Sequence, residues 1–219
     1  MIRLVHVSKV YEKSVVALDN VSLTLKEGEL VVLKGVSGSG KSTILSLIAG
    51  LVKPTNGEVL VNDKKISKIP DHFVSSFRQE NIGFIFQKYN LISNLSVSEN
   101  ILLPLVPLNL SRAESAKRVD AVLKLFSIED KKDTLVKNLS GGQQQRTAIA
   151  RANINTPKII LADEPTANLD ENLSLEFIEI LKKLKSQNRT IIVATHDPLF
   201  FELDFVDRIV QVSNGQIHS

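Results

Sequence analysis

A glycine-rich segment early in the chain has the residue types needed to bind a phosphate group. Residues 35–42 read Gly-Val-Ser-Gly-Ser-Gly-Lys-Ser and fit the pattern G-x-x-x-x-G-K-[ST]. Glycines let successive backbone N–H groups approach an anion, and the start of the following helix adds partial positive charge. In this pattern Lys41 reaches the β- and γ-phosphates, and the hydroxyl of Ser42 ligates Mg²⁺. The segment predicts a nucleotide site, with an ordinary glycine-rich turn as the alternative.

A second segment, Leu-Ser-Gly-Gly-Gln at residues 139–143, also opens a helix with glycines. Ser140 and Gln143 have the spacing of a capping box, and a helix N-terminus of this kind is a potential phosphate cradle. One nucleotide does not need two cradles so far apart in a single chain. Two chains arranged head to tail would use both, with one loop from each chain on every nucleotide. An ordinary capped helix is the alternative.

Two carboxylates follow an apolar run at residues 159–162. Such a run predicts a buried strand, and α/β sheets place their ligands at the carboxyl ends of strands. We expect Asp163 to hold Mg²⁺ through water and Glu164 to orient and deprotonate the attacking water. Acids at strand ends are often only helix caps, so this interpretation depends on the two glycine loops.

The elements that must position these residues alternate between strands and helices. Alternating or apolar runs predict strands at 2–7, 21–25, 30–34, 58–61, 82–86, 158–162, 191–195 and 208–212. Helical periodicity and capping signals predict helices over 42–51 and after Ser111, Ser140 and Asp170. This order indicates an α/β core with a mostly parallel sheet. Residues 88–156 show no convincing strand, and we interpret them as a helical subdomain inserted into the core.

Composition excludes several classes of protein. The 219 residues are 43% apolar and 23% charged, which fits one globular domain and excludes a disordered or collagen-like chain. Cysteine is absent, so disulfides, thiolate zinc sites and a cysteine nucleophile are excluded. No apolar run is long enough to span a bilayer, and the N-terminus is unlike a signal peptide. The net charge of +3 is scattered and aromatics are only 5%, so no nucleic-acid partner is expected.

In this order and spacing, the three motifs resemble the nucleotide-binding subunits of ABC transporters across essentially the whole chain. The resemblance implies an α/β fold with a P-loop NTPase (RecA-like) core, an antiparallel β subdomain and an inserted helical subdomain. Residues 1–219 are then a single ABC ATPase domain. Residues 1–87 and 157–219 form the core and β subdomain, and residues 88–156 form the helical subdomain with the 139–143 motif.

The resemblance also assigns roles to residues outside the three motifs. Gln87 corresponds to the glutamine that senses Mg²⁺ and the γ-phosphate, His196 to the switch histidine, and Tyr11 to the aromatic that stacks on adenine. Residues 167–170, Ala-Asn-Leu-Asp, correspond to a loop that crosses the dimer interface. A lone histidine or an edge-strand tyrosine is often only structural, so His196 and Tyr11 rest on their positions.

The expected sites follow from these assignments. Catalytic roles fall to Lys41, Gln87, Glu164 and His196, and Mg²⁺ ligation to Ser42, Gln87 and Asp163. ATP contacts fall to Tyr11, Gly35, Ser37, Gly38, Ser39, Gly40, Lys41, Ser42 and Thr43 of one chain and to Ser140, Gly141, Gly142 and Gln143 of the other.

The resemblance implies ATP hydrolysis that drives closure of a homodimer docked on an integral membrane permease, at the cytoplasmic face of the inner or plasma membrane. Segments such as 87–91 and 99–105 resemble the lipoprotein-release and macrolide-efflux group, which includes peptide exporters and the cell-division ATPase. Residues 101–110, with Pro104 and Pro107, are a candidate part of the docking face, with simple packing as the alternative. The alternatives are a mechanical or cell-division role, a soluble ABC ATPase on nucleic acid or ribosomes, and a metabolic kinase. The cargo is left open.

Overall fold

Two β-sheets and six α-helices make up the described part of the protein. The computed structural model describes residues 1–218. The strands are β1 Ile2–Tyr11, β2 Val15–Leu25, β3 Leu30–Lys34, β4 Asn56–Val61, β5 Lys64–Lys65, β6 Ile82–Ile85, β7 Ile159–Asp163, β8 Thr190–Thr195, β9 Arg208–Ser213 and β10 Gln216–His218. The helices are α1 Lys41–Ile48, α2 Asp71–Asn81, α3 Val97–Leu102, α4 Arg112–Leu125, α5 Gly141–Asn153 and α6 Glu171–Ser186.

The larger sheet places four strand ends side by side. Its order is β10-β9-β3-β8-β7-β6, and every pairing except β10 with β9 is parallel. The carboxyl ends of β3, β8, β7 and β6 therefore lie along one edge of the sheet. These are the strands that precede the 35–42 loop, His196, Glu164 and Gln87 respectively. The topology itself collects most of the predicted site residues.

Alternating residues of the central strands build two hydrophobic cores on opposite faces of this sheet. On β3, Val31 and Leu33 pack into one core, while Leu30 and Val32 pack into the other. The same alternation holds along β7 and β8, which explains why these strands read as continuous apolar runs. The first core includes α1 and the smaller sheet, and the second includes α5 and α6.

The smaller sheet is antiparallel, in the order β2-β1-β4-β5, so the predicted fold class is confirmed. Its first two strands are longer than predicted because bulges interrupt their alternation. His6 and Asn20 have positive φ at the irregularity. There the Oγ atoms of Ser8 and Ser22 accept the backbone N–H bonds that regular pairing would use.

Between residues 88 and 156 the described elements are helices and turns, joined by one isolated bridge between Ser96 and Leu135. Helix α5 is not set apart from the sheet, because Ile149 and Ala150 share the second core with residues of β7 and β8. Where a subdomain boundary falls therefore stays an interpretation. Among residues 1–218, no helix is both long and apolar enough to cross a bilayer.

Three details differ from the sequence predictions. Helix α1 stops at Ile48 and not at residue 51, because Gly50 adopts φ +63° and Leu51 N donates to Ser46 O at 2.9 Å, a Schellman ending. Helices α2 and α3 and strands β5 and β10 were not predicted as separate elements. At α4 the capping box is half formed: Ser111 Oγ accepts from Glu114 N, but the Glu114 carboxylate pairs with Arg118.

Candidate nucleotide site

The 35–42 loop connects β3 to α1 and is fixed by its own backbone. Gly40 is the N-cap of α1 at φ +111°, and a Cβ there would lie 2.8 Å from the Ala17 carbonyl oxygen. Only glycine fits both conditions. Ser39 N donates to Val36 O at 3.2 Å, and Gly215 N donates to Ser39 O at 3.0 Å. The loop is therefore held both from within and by the turn between β9 and β10.

Lys41 is almost fully buried behind this loop. Its Nζ donates to the carbonyl oxygens of Gly35 at 2.6 Å and Val36 at 3.1 Å, and it lies 3.2 Å from Glu164 Oε1. A buried ammonium group needs such partners because desolvation is costly. The positive charge is thus fixed inside the curve of the loop, where an anion would enter.

Asp163 ends β7 beside the start of α1. Its Oδ1 accepts a hydrogen bond from Ser42 Oγ at 2.9 Å. Burial raises the pKa of the Asp163 carboxyl, while the hydrogen bond from Ser42 opposes that rise. The repulsion from Glu164 adds to the rise and the attraction of Lys41 reduces it. The negatively charged form of Asp163 is therefore disfavoured in this environment, and a cation bound nearby would stabilise it.

Glu164 is fixed more rigidly than a strand-end acid usually is. Its backbone has φ +43°, in the left-handed region, and its N donates to Ala194 O at 2.8 Å. Its carboxylate is 11% exposed and lies between two basic side chains. Its Oε2 is 3.0 Å from His196 Nδ1, and its Oε1 is 3.2 Å from Lys41 Nζ. A non-glycine residue keeps this conformation only where the surroundings hold it.

Gln87 lies just beyond β6 with its side chain exposed. Its carbonyl oxygen accepts a hydrogen bond from Asn168 Nδ2 at 3.1 Å. In the segment that follows Glu164, Thr166 Oγ1 also donates to Asp197 Oδ2 at 2.7 Å. The segments after β6, β7 and β8 are therefore joined to one another by side chains.

Tyr11 lies at the end of β1, and its side chain is 41% exposed. Lys9 Nζ is 4.9 Å from the centre of the Tyr11 ring. One face of the ring is therefore next to a cation, and the exposed remainder has the area that base stacking requires.

The 139–143 motif forms the start of α5. Ser140 is the N-cap, and the capping box is complete: Ser140 Oγ accepts from Gln143 N, and Ser140 N donates to Gln143 Oε1. Ser140 and Gly141 are exposed, whereas Gly142 packs against Leu173 of α6. Among the described residues, no hydrogen bond joins Ser140–Gln143 to the 35–42 loop. Within the described part of one chain, the two glycine segments therefore do not bind each other.

The polar groups present suit a phosphate with a bound magnesium ion. Ser39 Oγ is buried and has no partner among the described residues, and it lies in the 35–42 loop. Ser42 and Asp163 supply oxygen atoms, the ligands that Mg²⁺ prefers, and Mg²⁺ usually keeps other positions for water and phosphate. No group of three His, Cys, Asp or Glu residues in the described chain forms a metal site by itself.

Two contacts around this site were not predicted from the sequence. Arg151 binds the backbone after Gln87, and Asn168 binds Gln87 itself. Asn168 belongs to the 167–170 segment that the resemblance assigned to a dimer interface, but no sequence signal indicated its bond to Gln87 O. Arg151 gave none, since an arginine on a helix is usually a solvated surface residue.

A family model described as "ABC transporter" matches residues 18–167. The ABC transporter ATP-binding protein MJ0796 of Methanocaldococcus jannaschii is 43% identical, over 99% of this chain and 95% of its own length. The macrolide export ATP-binding/permease protein MacB of Salmonella typhimurium is 38% identical, over 99% of this chain but 34% of its own length.

A solved structure gives the same result in three dimensions. It is described as the dimeric, post-hydrolysis state of the ATP-binding cassette MJ0796 bound to ADP and Pi. It matches this chain with a TM-score of 0.92 and 41% identity, covering 100% of this chain and 97% of the other.

Proposed function

This chain belongs to the ABC transporter family as an ATP-binding, ATP-hydrolysing domain, and we propose that it powers an integral membrane permease by ATP-driven closure of a homodimer. The predicted family is confirmed by these matches. The observation that carries the proposal is the convergence of Lys41, Glu164 and His196, which follow three adjacent parallel strands. The Glu164 carboxylate lies 3.2 Å from Lys41 Nζ and 3.0 Å from His196 Nδ1. The residue roles that follow are our assignments.

The phosphates of ATP would bind in the curve of the 35–42 loop, next to the Lys41 ammonium group. The backbone N–H groups of residues 35–42 and Lys41 would hold the β- and γ-phosphates. Ser42, Asp163 and Gln87 would hold Mg²⁺, which when bound neutralises charge on the phosphates. Tyr11 would stack on the adenine.

Glu164 would accept the proton of the attacking water. Its carboxylate is fixed by its own backbone and by His196, so it needs little rearrangement before it acts. His196, on the exposed side of Glu164, would contact the γ-phosphate. Because phosphoryl transfer offers the protein little covalent work, we assign most of the rate enhancement to positioning and electrostatics.

The exposed N-cap of α5 would complete the site of a second chain. Ser140, Gly141 and Gly142 would contact the γ-phosphate held by the partner, with Gln143 behind them. In support, the related cassette MJ0796 has been solved as a dimer with ADP and Pi. Each nucleotide would then be gripped by both chains, and hydrolysis would remove the group that joins them.

The permease would dock on the surface formed around residues 101–110. Ile101 and Leu105 are buried in the core, whereas Leu103 and Val106 are exposed, Val106 to 62%. Beside them a groove of about 500 Å³ is lined by Pro104, Pro107, Asn90 and Arg151, among others. Because this groove reaches the segment after Gln87, movement of the permease would shift Gln87 and so change its contacts with the bound nucleotide. We propose that residues 88–156 transmit it as one helical unit.

Export or release of a lipoprotein, a drug or a peptide is the transport we propose. The likeness to MacB, whose name joins macrolide export with an ATP-binding/permease chain, supports this direction. We place the domain at the cytoplasmic face of the membrane as a peripheral subunit, without a nucleic-acid partner.

The docking proposal is tested by affinity capture from detergent-solubilised membranes of the native cell. The wild-type chain should retain an integral membrane protein that stimulates its ATPase activity. Val106→Asp should lose both the protein and the stimulation while keeping its own basal activity. Leu175→Asp, at another exposed apolar position, on α6, is the control and should keep both. Capture of nucleic acid instead, or equal capture by all three, contradicts the proposal.

A further inference from the structure

Arg151, in the last turn of α5, binds the backbone that follows Gln87. Its Nη1 lies 2.6 Å from the carbonyl oxygen of Asn90, and its Nη2 lies 2.6 Å from that of Tyr89. The guanidinium group is planar, so two such bonds fix the orientation of the acceptors as well as their position. A single lysine ammonium group cannot reproduce this geometry.

The backbone that Arg151 binds is strained. Tyr89 has φ +58° and Asn90 has φ +49°, two successive residues in the left-handed region. Asparagine tolerates this conformation, but tyrosine does so rarely. The Tyr89 ring is buried, and its hydroxyl has no partner among the described residues. Such a turn persists only where its surroundings hold it, and the two bonds from Arg151 do so.

The same helix also reaches the segment after β7. Gln145, buried on α5, donates its Nε2 to Pro165 O at 2.9 Å. From that segment Asn168 returns to Gln87 O at 3.1 Å. Gln87 is thus held on one side by Asn168 and on the other by the turn that Arg151 fixes. Helix α5 therefore contacts both the turn after Gln87, through Arg151, and the segment that contains Asn168, through Gln145.

We propose that Arg151 is a positioning residue that ties Gln87 to the N-terminus of α5. The proposal rests on the proposed function, in which Gln87 serves the nucleotide of its own chain and Ser140 that of the partner. Arg151 lies ten residues after Gly141, about 15 Å along the helix axis. Because the helix is rigid over this length, a shift of the turn after Gln87 carries the helix start with it. Binding in one site thereby aligns the residues offered to the other.

The test compares Arg151→Lys with Arg146→Lys in the isolated chain. Arg146 lies on the same helix but binds Glu176 and Ser127 O, away from Gln87. Arg151→Lys should lower kcat for ATP hydrolysis about 10-fold, since small misplacements of positioned groups cost this much or more. Its affinity for a fluorescent ATP analogue, measured on the monomer, should stay within about twofold of wild type. Arg146→Lys should leave both quantities within the same limits.

A rescue variant separates positioning from simple loss of stability. The double variant Arg151→Lys/Asn90→Gly lowers the cost of positive φ at one of the two positions and keeps the buried Tyr89 ring, so it should recover part of the lost kcat. An unchanged kcat in Arg151→Lys, a parallel loss of kcat, ATP affinity and thermal stability, or no recovery with Asn90→Gly overturns the proposal.

If Arg151→Lys leaves kcat unchanged, two further variants show whether the role of Arg151 or the proposed function itself is wrong. Gln87→Ala and Ser140→Arg are measured in the same assay, which contains no permease. If both retain full hydrolysis, the proposed roles of Gln87 and Ser140 are wrong. If both lose activity while Arg151→Lys does not, the role of Arg151 alone is wrong.

Discussion

The Nζ atom of Lys41 lies 3.2 Å from Oε1 of Glu164, with both side chains largely buried. The group assigned to the phosphates and the group assigned to the attacking water are therefore paired with each other in this structure. A phosphate entering the loop must compete with Glu164 for the Lys41 ammonium group. A bound nucleotide should therefore pair with the Lys41 ammonium group and free the Glu164 carboxylate, to which we assign the proton of the attacking water.

Glu164→Gln should lower ATP turnover by about 10²–10⁴, because the amide cannot accept the proton of water. ATP binding should survive, since the amide no longer competes as an anion for Lys41. ATP-bound dimers should accumulate and be seen by size-exclusion chromatography. Glu202→Gln, at an exposed glutamate, is the control and should behave as wild type. Unchanged hydrolysis in Glu164→Gln removes Glu164 from its assigned role.

Lys41→Ala should abolish ATP binding in a fluorescent-nucleotide titration. The variant removes the buried cation inside the phosphate loop, and it leaves the Glu164 carboxylate without one of its two partners. Breaking a buried pair in this way typically costs about 3–5 kcal/mol of stability, so the melting temperature should fall as well. Binding at wild-type affinity contradicts the assignment of Lys41.

Ser140→Arg should prevent ATP-driven dimerisation without preventing ATP binding to the monomer, because the exposed N-cap of α5 contacts only the partner's nucleotide in the proposed dimer. Mixing Ser140→Arg chains with Lys41→Ala chains should restore part of the hydrolysis lost in each. A mixed dimer has one intact site, made from the 35–42 loop of the first chain and the α5 start of the second. If both variants fold and the mixture stays inactive, the head-to-tail arrangement is not supported.

Asp163→Asn should stabilise the nucleotide-free protein at neutral pH by about 0.5–2 kcal/mol, the range of other charge optimisations. Burial raises the pKa of Asp163 in the folded state, so folding is opposed by this group once the pH rises above its unfolded value near ~3.9 and through the folded value. The advantage of the variant should therefore shrink as the pH falls towards 4.

Urea unfolding at several pH values measures this effect, with Asp204→Asn, at an exposed aspartate, as the control. The same Asp163→Asn variant should bind ATP more weakly than wild type when Mg²⁺ is present. A stability difference that does not change with pH contradicts the pKa argument.

Tyr11→Ala should weaken ATP binding by about 1–3 kcal/mol, the usual contribution of one base stacked on an aromatic ring. Tripolyphosphate lacks a base, so its binding should be unchanged in this variant. Competition titrations with the two ligands separate the effects. An equal loss for both ligands indicates that Tyr11 supports the loop and does not contact the adenine.

The positions of most candidate site residues could be predicted from motif spacing and strand order. The 35–42 loop, Asp163, Glu164 and His196 could be placed at strand ends because each directly follows an apolar run that forms a parallel strand. The bonds from Arg151 and Asn168 to the Gln87 segment could not be predicted. They join residues distant in sequence, and no local pattern distinguishes a clamping arginine from a solvated one.

The fold was predicted least well where local irregularities break a pattern. His6 and Asn20 have positive φ at bulges in β1 and β2, and side chains beyond a bulge change faces. The alternation of apolar and polar residues is lost there, so the strands were predicted too short. Helix α2 was missed because its sequence is polar apart from a few positions, of which Val74 and Phe77 are buried.

The hydrogen bond from Gly215 N to Ser39 O connects two places far apart in the order of synthesis. Gly215 O in turn accepts from Asp19 N, so the turn between β9 and β10 lies between the loop and β2. During translation, residues 35–42 leave the ribosome long before this support exists. The support that Gly215 gives to the 35–42 loop should therefore form only after residue 215 has emerged, late in the synthesis of the chain.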